Sequence, residues 1–258
     1  SYTLKTGFED FKKAFSSYVK RRKDEDINPE YVLPIDSAAR GMDVIAKAFL
    51  KPGDEMIVFD PCDYLFREAC VQSGATPIFY PCKMDPEKRE MDLSDLEDYI
   101  TDKTKMIGLC NPHNPYGLLY SVEQLEFIMS LCEKHNLYIM NDEIWSDIIY
   151  SDAKFNSIYC LGNDRCKNVL SVFGYSKSFG LAGLRIGNIY CTDKENFNKV
   201  LEKSQVLSTA GGATSISMVA ATAAMKDSEY YLDGFIKHLE ENRNYAVDFI
   251  NKLPMLKA

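Results

Sequence analysis

One lysine stands out by its setting. Lys177 follows a strand-like run, lies between two serines in Gly174-Tyr175-Ser176-Lys177-Ser178-Phe179-Gly180, and is trailed by Leu181-Ala182-Gly183-Leu184-Arg185-Ile186-Gly187. An amine at a strand end among small residues can attack a carbonyl or carry a proton, because small neighbours leave room for a ligand. Arg185, expected to open the next strand, offers a planar cation suited to gripping an anion. A second run, Asn141-Asp142-Glu143-Ile144-Trp145, closes an apolar strand with an acidic pair. There Asp142 is either a helix N-cap or a carboxylate facing a ligand. A third, Asn111-Pro112-His113-Asn114-Pro115-Tyr116-Gly117, has its backbone fixed by two prolines and a glycine. It reads as a rigid turn or as a holder of a ligand oxygen through its amides.

These groups need strand ends to carry them. Strands are expected at Glu55 to Phe59, Thr76 to Tyr80, Lys105 to Cys110, Leu137 to Asn141, Asn168 to Phe173 and Arg185 to Cys191, each short and apolar, with a proline only in the second, at Pro77. A helix is expected from Ser121 to Lys134, opened by the capping box Ser121-Val122-Glu123-Gln124 and striped by Leu125, Ile128, Met129 and Cys132. Phe8, Phe11, Phe15, Tyr18 and Val19 mark another helix, ending in Lys20-Arg21-Arg22-Lys23, which reads as a solvated basic terminus. Ser228 to Lys252 reads as one long amphipathic helix. Alternating strands and helices imply an α/β fold, a mainly parallel central sheet with helices on both faces, whose ligands bind at the strand ends.

The 258 residues suit a single large domain, and 46% apolar with 26% charged residues excludes a disordered chain. A net charge of −8 argues against nucleic acid and against anionic membranes. No apolar run approaches the length of a membrane span, and no leader for secretion is read at the N-terminus, so a soluble, cytoplasmic protein is expected. Eight cysteines without a C-x-x-C pair read as reduced thiols, and three histidines without ligand spacing give no metal site.

Taken together, Gly174, Ser176, Lys177, Gly180, Leu181, Gly183, Arg185, Ile186 and Gly187 resemble, position by position, the pyridoxal-phosphate lysine signature of class I/II aminotransferases, the fold type I enzymes. The resemblance covers nearly the whole chain and implies that residues 1–258 are the family's large, pyridoxal 5′-phosphate-binding domain. It implies that Lys177 forms the Schiff base and then moves the substrate's Cα proton. It also implies that Asp142 faces the pyridine nitrogen and keeps it protonated. Asn114 would donate to the cofactor's phenolic oxygen, and Trp145 stands where a tyrosine or histidine usually contacts that oxygen. Ser37-Ala38-Ala39 corresponds to the phosphate loop at a helix start, helped by Arg185 and Ser176. Tyr2 resembles the tyrosine that reaches the phosphate of the neighbouring subunit. A homodimer, with amino acid and 2-oxo acid substrates, is expected on the same grounds.

The sequence also departs from the family pattern. In Pro61-Cys62-Asp63-Tyr64, Asp63 occupies the place of the aromatic that usually stacks on the cofactor, and Asp36 puts a negative charge beside the phosphate loop. The small C-terminal domain is largely absent, with about 228–258 a helix leading toward it. The leading expectation is an aminotransferase. Alternatives are a carbon–sulfur β-lyase of the cystathionine β-lyase-like branch, which Phe11 to Arg22, Asn111 to Pro115 and Asp142-Glu143-Ile144 also resemble, and a non-catalytic cofactor-binding domain.

Overall fold

The computed structural model describes residues 5–85, 88–208 and 211–256. In chain order its elements are α1 (Glu9–Lys23), β1 (Val32–Ile35), α2 (Ala38–Phe49), β2 (Glu55–Asp60), α3 (Tyr64–Gln72), β3 (Thr76–Pro81), β4 (Lys83–Asp85), β5 (Glu90–Asp92), β6 (Thr104–Cys110), α4 (Val122–His135), β7 (Tyr138–Asp142), β8 (Val169–Gly174), the single turn α5 (Tyr175–Ser178), β9 (Gly187–Tyr190), α6 (Lys194–Ser204), α7 (Ser215–Asp227) and α8 (Glu229–Ile250). Seven strands form one sheet in the order β1-β9-β8-β7-β6-β2-β3. Pairing is parallel from β3 through β2, β6 and β7 to β8; β9 runs antiparallel to β8, and β1 antiparallel to β9. β4 and β5 pair separately.

The central parallel strands β2, β6, β7 and β8 are largely buried, as strands covered by helices on either side must be, whereas β3 at the sheet edge is mostly exposed or half-buried. On one face Phe11, Phe15 and Tyr18 of α1 pack edge-on or tilted against Phe173, Tyr175, Phe179 and Tyr190. On the other, Met42, Val44 and Ile45 of α2 join Phe66 and Cys70 of α3 and Phe197 and Val200 of α6 over Met56, Met140 and Ile189. The capping box forms as read: Ser121 accepts from the Gln124 backbone N–H, and the Gln124 side chain accepts in return from the Ser121 backbone. That fixes where α4 begins, and with it the direction in which β7 is delivered to the sheet. All eight cysteines are free thiols. Among the described residues, no helix is long and apolar enough to cross a membrane.

Three expectations need correction. β1 was not foreseen; Pro34 interrupts its sequence pattern, yet an edge strand tolerates a residue without an N–H donor. The strand expected from Arg185 starts only at Gly187, because the Arg185 backbone N–H closes a turn onto the Ala182 carbonyl and Arg185 adopts φ 51°. The basic terminus of α1 is solvated only at Lys20 and Arg21, and not at Arg22 and Lys23. Arg21 pairs with Glu229 and Arg22 with Asp233, tying α1 to α8. The Lys23 side chain is 1% exposed, between Glu25 and Glu143. Burying that charge is tolerated because two carboxyl groups face it.

Candidate active site

Lys177 sits on the single turn that follows β8, and its neighbours on both sides are anchored in the core. Tyr175 is fully buried and donates to Asn188 Oδ1 at 2.8 Å, while the buried Ser178 hydroxyl donates to Asp147 Oδ2 at 2.6 Å. With Tyr175 and Ser178 held inward, Lys177 is left exposed. Its Nζ lies 4.8 Å from the centre of the Trp145 ring, a cation–π contact, and no acid forms an ion pair with it among the described residues.

Asp142 ends β7, next to β8 in the sheet, and is 4% exposed. Its Oδ1 accepts from the Ile144 backbone N–H at 2.9 Å, an Asx-type turn rather than a helix cap, since no helix starts there. Burial pushes its carboxyl up to about 7; the Ile144 N–H lowers it, the charges of Asp63 and Glu143 raise it further, and Lys177 pulls it back. Lys177 is thus near enough for its charge to act on the Asp142 carboxyl. The other Asp142 oxygen has no protein hydrogen-bond partner among the described residues.

Asn114 stands in the turn after β6, and its Nδ2 donates to Asp63 Oδ2 at 3.1 Å. Asn114, Pro115, Leu119, Trp145, Ile148 and Tyr150 line part of a cleft of about 320 Å³. The two amides of the turn divide their duties. Asn111 is buried and donates to the Asn156 carbonyl at 2.8 Å, so it is structural, whereas Asn114 faces the cleft. His113 is buried too, with Nε2 2.9 Å from the Pro61 carbonyl and Nδ1 3.3 Å from the Tyr120 hydroxyl.

Ser37 caps α2: its Oγ accepts from the Arg40 N–H at 3.2 Å and donates to Asp36 Oδ1 at 2.8 Å. The N–H groups of Ala38 and Ala39 precede the first intrahelical bond and have no acceptor among the described residues. A Cβ on Gly187 would stand 2.8 Å from the Ala38 nitrogen, so only glycine allows β9 to lie this close to the start of α2. A Cβ on Gly174 would meet the Ala38 methyl at 3.5 Å, which places this helix start beside the strand that carries Lys177. The Arg185 side chain is exposed, without a hydrogen bond or ion pair among the described residues, on the corner leading to Gly187; the Ser176 side chain is half-buried and equally unengaged. Tyr2 lies outside the described residues.

Lys177, Trp145 and Asp142 thus come together, Asn114 joins them through the cleft it shares with Trp145, and Ser37-Ala38-Ala39 adjoins Gly174. Among the described residues, no side-chain hydrogen bond or ion pair links Arg185 to any of them. Sequence reasoning did not assign Asp63 as the partner of Asn114, Asp147 as the anchor of Ser178, or Lys23 as the counter-charge of Glu143. Only Asp63 carried a signal, as an acid where the family resemblance places an aromatic.

An amine, a buried acid and an amide thus stand at three neighbouring strand ends, where open α/β sheets hold ligands. The chain belongs to the aminotransferase class I and II family, whose model matches residues 1–257. It is 29% identical over 241 residues to an aspartate aminotransferase of Sulfolobus acidocaldarius, covering 92% of this chain and 59% of that protein. It is 28% identical over 251 residues to the cystathionine beta-lyase PatB of Bacillus subtilis, covering 95% of this chain and 64% of that one. The fold matches that of cystalysin from Treponema denticola, whose crystal structure contains a pyridoxal 5′-phosphate cofactor, with a TM-score of 0.89 at 23% identity, over 97% of this chain and 64% of that chain. The chain thus spans about 60% of the length of the proteins it resembles.

Proposed function

We propose that this chain is the pyridoxal 5′-phosphate-binding domain of an aminotransferase that exchanges an amino group between an amino acid and a 2-oxo acid. The observation that carries the reading is the placement of an exposed, acid-free Lys177 within the electrostatic reach of a buried Asp142 whose carboxyl is pushed up to about 7. The residues fit the cofactor. A buried acid with one oxygen unpartnered suits a basic ring nitrogen, which would take its proton and leave a carboxylate beside a cation. The free N–H groups at the start of α2 suit a phosphate dianion.

The chemistry supplied by pyridoxal 5′-phosphate, when bound, is an electron sink for the pair left on the substrate's Cα. Lys177 Nζ would hold the cofactor and then take a proton from Cα and return it. Asp142 would hold the proton on the ring nitrogen. Asn114 Nδ2 would donate to the phenolic oxygen, and the Trp145 indole, which can donate but not titrate, would border it. Ser37, Ala38 and Ala39 would hold the phosphate through the helix start, with Arg185 and Ser176 moving onto it from the adjoining corner.

Adding pyridoxal 5′-phosphate to the chain is expected to give a near-visible absorbance band that borohydride abolishes, with the reduced label on Lys177. Lys177→Ala should show no such band, and a variant indistinguishable from wild type would overturn the proposal. The β-lyase reading is favoured by the similarity to PatB. Release of pyruvate and thiol from cystathionine would support it; amino transfer dependent on a 2-oxo acid would support the aminotransferase.

A further inference from the structure

We infer that Asp63 is a positioning residue of this cleft, fixing the Asn114 amide across the crevice between β2 and β6 so that one Nδ2 hydrogen is held and the other stays available to an oxygen of the cofactor. The inference rests on the reading above and concerns a residue where the resemblance places a stacking aromatic. Both Asp63 oxygens are committed: Oδ1 accepts from the Leu65 backbone N–H at 3.0 Å, capping α3, and Oδ2 accepts from Asn114 Nδ2 at 3.1 Å. Both oxygens thus act as acceptors, one for the start of α3 and one for the Asn114 amide.

The consequence for Asn114 follows from the inventory of an amide. A side-chain amide has an oxygen that only accepts and a nitrogen that only donates, and left alone it can present either to a ligand. Turning the Asn114 oxygen toward Asp63 would set two acceptors against each other, so the carboxylate fixes which way the amide lies. A second tie holds the same corner, His113 Nε2 against the Pro61 carbonyl at 2.9 Å. The turn after β6 and the corner after β2 therefore form one unit, in which Asp63 is the element that specifies a donor.

The test uses the full chain, titrated with pyridoxal 5′-phosphate and followed through the emission of Trp145, the single tryptophan, whose ring Lys177 already touches. Asp63→Asn is the informative variant. Its oxygen can still cap α3, since asparagine caps about as well as aspartate, but its amide sets a donor against the Asn114 donor. The melting temperature without cofactor should stay at the wild-type value, while affinity falls about tenfold, as expected for a misaligned hydrogen bond to a charged partner. Asn114→Ala should weaken binding by a similar factor, and the double variant no further than Asn114→Ala alone, because Asp63 acts through Asn114. Wild-type affinity in Asp63→Asn with a weakened Asn114→Ala would overturn the role of Asp63 and leave the cofactor site standing. Losses that multiply in the double variant would overturn it as well. A wild-type chain whose emission is indifferent to pyridoxal 5′-phosphate would sink the functional reading and this inference together.

Discussion

Replacing Lys23 by methionine removes the cation from a buried acidic pair and leaves its aliphatic volume in place. Nζ stands 2.8 Å from Glu143 Oε2 and 2.9 Å from Glu25 Oε1, and the three side chains are 1%, 0% and 1% exposed. Glu143 has further support from Asn141 Nδ2 at 3.0 Å and Ser157 Oγ at 2.8 Å. Glu25 has none of this: despite the close Nζ, neither of its oxygens makes a well-aligned hydrogen bond. A proton on Glu25 resolves that conflict. Burial pushes its carboxyl up, whereas Lys23 and the hydrogen bonds hold the Glu143 carboxyl below its ordinary value against burial. The triad then carries one cation, one carboxylate and one neutral acid.

Removing one member of such a pair strands a buried charge, which costs about 3–5 kcal/mol. Against a typical domain stability of about 5–15 kcal/mol that is a large fraction. The loss should depend on pH in a definite direction. In the wild type, Glu143 contributes stability that is present above its ordinary value of 4.5 and is lost as pH falls through its lower folded value. In Lys23→Met burial acts on Glu143 with no cation against it, so its folded value rises and stability is lost as pH rises. The two proteins should therefore differ most near about pH 8 and converge toward about pH 5. Urea unfolding at both pH values, read through Trp145, measures the gap. A difference below about 1 kcal/mol at the higher pH, or an equal gap at both, would refute the triad as described.

Gly187→Ala places a methyl 2.8 Å from the Ala38 nitrogen and 2.9 Å from both the Phe173 oxygen and the Ser37 carbonyl carbon, all backbone atoms. Overpacking of this kind should cost about 1–3 kcal/mol in denaturant unfolding, and it should weaken pyridoxal 5′-phosphate more than pyridoxal, because the disturbed atoms are the proposed phosphate donors. Equal losses for the two ligands would place the phosphate elsewhere. Glu25→Gln should flatten the pH dependence of melting: the raised folded value of Glu25 makes wild-type stability fall as pH climbs from the ordinary 4.5 through that value, and glutamine cannot titrate. An unchanged slope in the variant would show that Glu25 does not hold the proton.

What was legible in the sequence is what local pattern dictates. The capping box placed α4, and short apolar runs located the parallel strands. What was not legible depends on partners distant along the chain. Lys23 looks like any terminal basic residue until Glu143, on another element, is folded against it. Arg185 looked like the first residue of a strand because apolar residues follow it, but a turn closed by the Ala182 carbonyl makes it a corner. Val32 to Ile35 pairs with β9 from the sheet edge, and a proline in so short a run hides the pattern that would betray it. The amide orientation of Asn114 needed Asp63, which only tertiary structure supplies.

The sheet order explains why these partners meet where they do. β2 leads outward to β3, but β6 returns to the opposite side of β2, and β7 and β8 continue in that direction. Segments leaving β2 and β6 therefore diverge, and a crevice opens between their ends, the place where open α/β sheets hold ligands. Asp63 follows β2 and Asn114 follows β6, so their hydrogen bond spans that crevice. Asp142 and Lys177 follow the next two strands in line. A lysine on β8 alone would be an exposed amine, and an acid on β7 alone a costly buried charge. At the ends of β7 and β8, beside the reversal and with a donor fixed in direction after β6, each would offer the proposed cofactor a contact that the others cannot.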